Sequence, residues 1–360
     1  MAAAALLNKD LRVCMLEKNE IPGRKLAATG GGRCNLTNAA CSAKDATLDF
    51  FASIGIETYC DEEGRYYPYT NKAQDVINAL LDAQGENVTV FCGVTADAIK
   101  KTDGGFVVTA GAQQFAAREV ILAMGGKAAP QYGTTGDGYR LAKSLGHTVG
   151  RVYPILTPVE CKGSENVDFA KLKGIRAKAV VTLLKDGAPL EDVPAEGGEL
   201  QFTEDGLSGI CIFNLTPHIK AEAGEAVADA MARYSICADL APDFDAAQMQ
   251  ARESSRGILT GALAEAADRE MIRSGCGCDM IKHWTFEVQG VKGWRHAQCT
   301  AGGVDMAELD LDTMASKLAD GLYIIGELLD VQGPCGGFNL QNAWETAMKA
   351  ARTISLKDRK

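Results

Sequence analysis

Two carboxylates in this chain stand at the ends of apolar strands, with glycines close by. Glu17 closes the segment LRVCMLE, and Glu327 follows Gly326 at the end of GLYII. An ionised carboxylate can accept hydrogen bonds from two hydroxyls at once, which suits a ribose or a ribityl chain. Between Pro22 and Asn38 come the basic pair Arg24-Lys25 and the run Gly30-Gly31-Gly32-Arg33-Cys34-Asn35. Successive glycines reach positive φ values that aim several N–H groups at one anion, and Arg33 can add a bidentate phosphate contact. A flexible surface turn would use the same glycines. A second doublet, Gly125-Gly126, ends the strand-like REVILAM, where a backbone either approaches a ligand closely or simply turns. GPCGGFNLQ, Gly333 to Gln341, runs into a helix whose unpaired N-terminal N–H groups would stabilise negative charge on a bound ring, unless the loop merely caps that helix.

The elements that must position these groups follow from local pattern. MAAAALL predicts a short helix, and Leu11 to Leu16 a strand ending at Glu17. That is the second half of a β-α-β unit, in which the acidic residue follows G-x-G-x-x-G by roughly 20 residues. Counting back from Glu17 runs past Met1, so the first strand and its glycines are expected upstream of this chain. Thr70 to Gln84 predicts an amphipathic helix, with Asn71 and Gln74 at capping-box spacing. Asn87 to Gly93, Phe106 to Thr109 and Phe115 to Ala123 read as a meander running into a buried strand. GTTGDG opens a helix over Tyr139 to Leu145, with Asp137 at its N-cap. Tyr153 to Pro158 holds two prolines and marks a boundary. Beyond it lie short strands such as Ala177 to Leu184, an Asp186-Gly187 turn, a strand at Glu199 to Thr203, and a helix over Ile258 to Ile272. A last helix is expected from Asn342 to Thr353.

With 360 residues, 46% hydrophobic and 23% charged, the chain is long enough for two domains around sizeable cores. Its formal net charge of -10 repels a phosphate backbone, so no nucleic-acid partner is expected. Twelve cysteines without a C-x-x-C pair predict reduced thiols in a cytoplasmic protein and no metal site. No apolar run approaches about 18 residues, so no membrane span is expected. The four histidines read as structural, and no residue stands out as an acid or base. Cys335 sits in the last glycine-rich loop, where a packed thiol is a simpler reading than a redox one.

Several segments together resemble the aminoacetone oxidase family of bacterial FAD-binding enzymes, which also includes a flavoprotein of bile-acid-converting gut anaerobes. They are GRKLAATGGGRCNLTN, ILAMGGKAAPQYGTTGDGYRLAKSLGH, QFTEDGLSG, CTAGGVD and GLYIIGELLDVQGPCGGFNLQNAWETA. The resemblance implies an α/β fold, a Rossmann-like FAD-binding domain over 1–156 and 301–360 interrupted by an α+β insert and substrate domain over 157–300. It implies that Glu17 binds the adenosine ribose, and that Arg24, Lys25, Gly30, Gly31, Arg33, Cys34 and Asn35 line the diphosphate and flavin. Val94 would meet adenine through its backbone, Gly125 and Gly126 would abut the cofactor, and Glu327 would face the ribityl and pyrophosphate region. Asn339, Leu340 and Gln341 would contact the isoalloxazine. Against the family pattern, the leading strand and G-x-G-x-x-G are missing, and Ile210 follows Gly209 where relatives commonly have proline.

The activity implied is an FAD-dependent oxidoreductase acting on a small molecule. One form is an NAD(P)H-dependent reductase of an enone such as a 3-oxo bile acid, and the alternative is oxidation of an amine such as aminoacetone. A chain lacking its first strand could instead be a non-catalytic relic with impaired FAD binding.

Overall fold

A computed structural model describes residues 1–7, 9–165, 167–221 and 225–357. The chain forms two compact units, residues 1–153 with 299–360 and residues 154–298.

In the first unit the strand Val13–Glu17 pairs in parallel with Val88–Cys92, so that Glu17 lies opposite Cys92. A second parallel pair joins Val120–Leu122 to Leu322–Ile324. Residues 88–92 are therefore not the first member of a meander. The meander is Ala98–Thr102, Gly105–Ala110 and Gln113–Ala117, and it ends before the strand Val120–Leu122 begins. Between the two elements lies the pair Arg118-Glu119, so the single strand expected over 115–123 is in fact two.

The C-terminal helix Phe338–Lys357 buries Gln341, Trp344, Ala347, Ala351 and Ile354, a three-to-four-residue stripe facing the core. Trp344 donates its indole N–H to the Leu36 carbonyl at 2.9 Å, and the Thr346 hydroxyl accepts from the Gly326 N–H at 3.0 Å. This helix thereby holds both the segment after the glycine triplet and the strand end that carries Glu327. It starts four residues before the expected Asn342, which puts Asn339, Leu340 and Gln341 in its first turn.

Helix Ala73–Asp82 buries Ala73, Val76, Ile77 and Leu80, each worth up to about 1.5–3 kcal/mol for the large side chains. The capping box expected there does not form. Lys72 is the N-cap, without a side-chain bond, while Asn71 takes a φ of 55° and accepts from the Tyr59 hydroxyl at 2.6 Å. Gln74 turns to Asn78 instead. Helix Asp137–Ser144 likewise begins with Asp137 as its first residue rather than its cap, because Gly136, at φ 81°, makes the turn. Buried His147 bridges Glu308 at 3.0 Å and Ser316 at 2.8 Å, and the Ser316 hydroxyl also accepts two backbone N–H groups. That fully used serine makes the trio a tie between segments.

The second unit is a closed six-stranded antiparallel barrel. Arg176–Lys185 pairs with Glu196–Phe202 on one side and Tyr234–Asp239 on the other, and the circle closes through Gly206–Ser208, Val159–Lys162 and Trp284–Val291. Ala179, Val181 and Leu183 alternate inward along the first strand, and the rings of Phe169, Phe202 and Phe286 pack at centroid distances of 6.0 to 6.3 Å. Asp186 and Gly187 both take positive φ, as a two-residue hairpin turn requires. Helix Gly261–Ser274 packs Leu263, Ala264, Ala267 and Met271 into the core, and Gly275 ends it in the left-handed region. Among the described residues no helix is long and apolar enough to cross a membrane.

Candidate active site

The centre of the site is the Glu327 carboxylate. Its Oε2 accepts from the Lys25 ammonium at 2.5 Å and its Oε1 from the Thr300 N–H at 2.9 Å. Thr300 extends the arrangement, because its hydroxyl accepts from the N–H groups of Lys127 at 2.7 Å and Ala128 at 3.0 Å. The strand-end doublet passes between these groups. A Cβ on Gly126 would stand 2.4 Å from the Thr300 hydroxyl and 2.8 Å from Glu327 Oε1, while Gly125 has a φ of 71°. No side chain fits at 126, so the backbone itself lies against the carboxylate. Burial, with the Glu327 charge adding to it, pushes the nearby Tyr139 hydroxyl well above its usual pKa.

Glu17 heads a second cluster. Its Oε1 accepts from both the backbone and the side-chain N–H of Asn19 at 2.8 Å, and its carbonyl takes the Val94 N–H at 3.0 Å. The Val94 N–H is thereby occupied within the chain. Asn19 also accepts from Arg24 at 3.1 Å, and Arg24 donates to the Gln131 carbonyl at 3.1 Å. Arg24 and Lys25 are consecutive, at the start of helix Arg24–Ala28, and reach in two directions: Arg24 toward the Glu17 cluster and Lys25 to Glu327. One helical turn therefore ties together the two strand-end carboxylates, 310 positions apart in the chain by their numbering.

The glycine triplet follows directly on helix Arg24–Ala28 and Thr29. Gly30, Gly31 and Gly32 have φ values of 57°, 67° and 88°, all left-handed. A Cβ on Gly30 would press on the Asn35 N–H at 2.9 Å, whereas one on Gly31 would meet nothing within 4 Å. Arg33 donates to the Gly30 carbonyl at 3.2 Å, and its guanidinium carbon lies 4.2 Å from the centre of the Tyr67 ring. Cys34 is buried, and burial pushes its thiol up to about 12, so its side chain belongs to the core. Asn339 spends its amide on Gly333, accepting from its N–H at 3.0 Å and donating to its carbonyl at 2.9 Å. It shapes the loop before the helix. Leu340 packs half-buried against the core.

At this site, among the described residues, two buried amides are left incomplete, apart from Gln84 elsewhere in the unit. Gln341 is 4% exposed and accepts from the Thr37 hydroxyl at 2.6 Å, yet its Nε2 has no partner; Asn35 is 8% exposed and its Oδ1 has none either. Leaving a buried amide atom unpaired costs about 1–3 kcal/mol. A donor and an acceptor left open in this way, beside glycines that admit close backbone approach, suit a planar group with its own N–H and carbonyls. The residues could hold FAD: its hydroxylated chain and diphosphate would run along Glu17, Lys25, Glu327 and the glycines, and its polar ring edge would meet Asn35, Gln341 and the first turn of the C-terminal helix. Thr37, Tyr67 and Thr300 belong to the same framework and were missed from sequence, since each acts through a partner far along the chain; Asn19 was missed although its partner Glu17 is two residues away. Only Thr300 had a local signal, the Gly302-Gly303 that follows it.

The family described as HI0933-like protein Rossmann domain matches residues 42–353. A 3-dehydro-bile acid delta(4,6)-reductase of Clostridium scindens is 34% identical over 98% of this chain and 95% of its own length. A ribosomal RNA dihydrouridine synthase of Escherichia coli is 26% identical over 95% of this chain and 92% of its own. Among solved structures, a 3-ketosteroid-delta4-(5alpha)-dehydrogenase of Rhodococcus jostii RHA1 is similar in fold, with a TM-score of 0.51 at 12% identity over 98% of this chain and 93% of that one.

Proposed function

The chain belongs to the HI0933-like family of FAD-dependent oxidoreductases, and from that premise we propose that it reduces a carbon–carbon double bond conjugated to a carbonyl in a small molecule, of the 3-oxo steroid or bile-acid kind. The net change adds a hydride to the β-carbon and a proton to the α-carbon, with NAD(P)H oxidised to NAD(P)+. FAD supplies the two-electron relay between that donor and the substrate. The chain's own residues hold it. Lys25 and Glu327 form a partly buried pair that fixes one carboxylate oxygen and leaves the remaining lone pairs for hydroxyls. Asn35 and Gln341 offer an acceptor and a donor to the ring edge. The N–H groups at the start of helix Phe338–Lys357 favour negative charge there, which assists hydride acceptance.

The observation that supports FAD use by these residues most directly is the pair of buried, unpaired amide atoms on Asn35 and Gln341. The substrate class rests on the relative acting on a 3-dehydro bile acid. The ribosomal RNA relative favours a second reading, because uracil also presents a double bond conjugated to a carbonyl. Its lower identity and the net charge of -10 on this chain place it second. The test reduces the FAD-loaded protein by light without oxygen, then adds a 3-oxo-4-ene steroid, a uridine-containing ribosomal RNA fragment, or aminoacetone with oxygen. Reoxidation of the flavin by the steroid with a saturated product supports the proposal. Turnover of aminoacetone alone, or of the RNA alone, overturns it.

A further inference from the structure

One face of the sheet beside the glycine triplet carries a row of tyrosines. The sheet is formed by Thr37–Asn38, Arg65–Pro68 and Thr58–Cys60, with Arg65–Pro68 in the middle. Tyr59 and Tyr67 stand directly opposite each other across its antiparallel pair, and so share a face. Their ring centroids are 6.0 Å apart, and Tyr69, just past the strand, packs edge-on against Tyr59 at 6.3 Å. Exposure rises along the row, from 2% at Tyr67 to 74% at Tyr69. The buried end abuts the candidate site: a Cβ on Gly30 would lie 3.1 Å from the Tyr67 ring and 2.9 Å from the backbone nitrogen of Asn35, the residue whose Oδ1 is open. Over the same ring stands Arg33, an exposed residue that donates to the Tyr67 hydroxyl at 3.3 Å and to the Gly30 carbonyl at 3.2 Å. These partners are all neutral. Among the described residues no carboxylate bonds Arg33, and Asp61, whose charge reaches Tyr67, is held by Arg65 at 2.8 Å. Lys25, in contrast, is spent on Glu327. A planar cation resting on neutral groups keeps its charge for an oxygen on which electrons gather.

We propose that the Arg33 guanidinium binds the carbonyl oxygen of the enone and stabilises the negative charge that develops there, while Tyr59 and Tyr69 carry the flat body of the substrate outward. The inference rests on the reductase reading above, and it adds which residue activates the carbonyl and which rings select a polycyclic body. Arg33 has donors to spare: its Nε–H serves Gly30 and one Nη2–H serves Tyr67, which leaves three of the five guanidinium N–H groups. As hydride bonds to the β-carbon, the double-bond pair shifts to join the α-carbon to the carbonyl carbon, and the carbonyl pair moves onto oxygen. The free N–H groups meet that enolate oxygen. A proton from water then bonds to the α-carbon as the C=O re-forms, leaving hydroxide, and the hydride's two electrons come from the reduced cofactor. This places Arg33 with the substrate rather than with the cofactor diphosphate.

The test compares FAD-loaded wild type with R33Q, R33K and Y69A. The first probe is p-nitrophenol, because its ionised form carries charge on a ring oxygen as the enolate does, and absorbs in the visible. Wild type is expected to bind it ionised at a pH where the free phenol is mostly protonated, and at least about tenfold more tightly than R33Q does, with R33K between them. The second readout is the flavin, reduced by light without oxygen and then mixed with a 3-oxo-4-ene steroid or with cyclohexenone. R33Q should be reoxidised by either enone about a hundredfold more slowly, yet by ferricyanide at the wild-type rate. Y69A should need about tenfold more steroid for half-saturation, with cyclohexenone unchanged. Equal nitrophenol binding in wild type and R33Q overturns the proposal, as does an R33Q rate that is unchanged with both enones. So does an R33Q protein that releases FAD, since the guanidinium would then serve the cofactor. Unchanged steroid saturation in Y69A overturns the part assigned to the tyrosine row. A wild-type flavin that no enone reoxidises sinks the reductase reading, and nitrophenol binding still decides whether Arg33 holds an oxyanion.

Discussion

Replacing Gly126 or Gly31 by alanine separates what the site owes to packing from what it owes to the cofactor. The Gly126→Ala methyl would lie 2.4 Å from the Thr300 hydroxyl and 2.8 Å from Glu327 Oε1, both inside contact distance. Thr300 would have to move, and its hydroxyl would lose the Lys127 and Ala128 N–H groups. Overpacking of this kind costs typically about 1–3 kcal/mol, and each lost hydrogen bond about 0.5–1.5. A destabilisation of roughly 2–4 kcal/mol in the apo protein follows once the overlap between these effects is allowed for. Gly31→Ala meets nothing within 4 Å, and its cost is that of an alanine at a φ of 67°, roughly 1–2 kcal/mol.

With FAD the ranking changes. A ligand present at 100 times its Kd adds about 2.7 kcal/mol to wild type, and that increment should shrink sharply in Gly31→Ala if the cofactor binds where we propose, since the methyl would then enter its space. Denaturant unfolding of apo protein, repeated with saturating FAD, reads both quantities. A Gly31→Ala protein that gains as much from FAD as wild type would place the cofactor away from the triplet. A Gly126→Ala apo protein as stable as wild type would refute the close contact at Glu327.

Lys25→Met removes the cation from Glu327, whose side chain is 20% exposed. Screened by that exposure, the apo protein should lose roughly 1–2 kcal/mol and FAD affinity about tenfold; adding Glu327→Gln should recover part of the stability, and a double-mutant cycle of denaturation midpoints showing no coupling would argue against the pair. Lys18, through its hydrogen bond to Asp137, holds that carboxyl below its usual range, and Thr135 assists. A folded-state pKa below the unfolded one gives stability that is present above the unfolded carboxylate range, near about 4, and lost as pH falls through the depressed folded value. Asp137→Asn should therefore cost most near neutral pH and nothing near pH 2, and unfolding curves for the two proteins that stay parallel over that interval would contradict the assignment.

The α/β class and the flavoprotein family could be read from sequence because their signals are local. A strand that ends in an acid or a glycine pair announces itself within ten residues, as at Glu17, Gly125-Gly126 and Glu327, and the shifts in element ends did not blur it. The partners of those groups could not be read. Nothing near Thr300 in the chain says that its N–H will meet Glu327 or its hydroxyl the backbone at 127 and 128. The failed capping box at Asn71 has the same origin: the spacing was right, but Tyr59, twelve residues earlier, took the side chain first.

Charge is where a whole-chain number misleads most. A net -10 argues against binding any polyanion, yet acids and bases are not spread evenly, and one helix face places Arg140 and Lys143 on a single side opposite Lys127. Repulsion from distant carboxylates falls off within a Debye length of about 8–10 Å, so a cavity-sized anion responds to its immediate lining. A polynucleotide spans many such lengths and feels the total. The net charge therefore bears on RNA and leaves small anions open, and salt dependence tests it: any RNA that binds should do so with a steep slope.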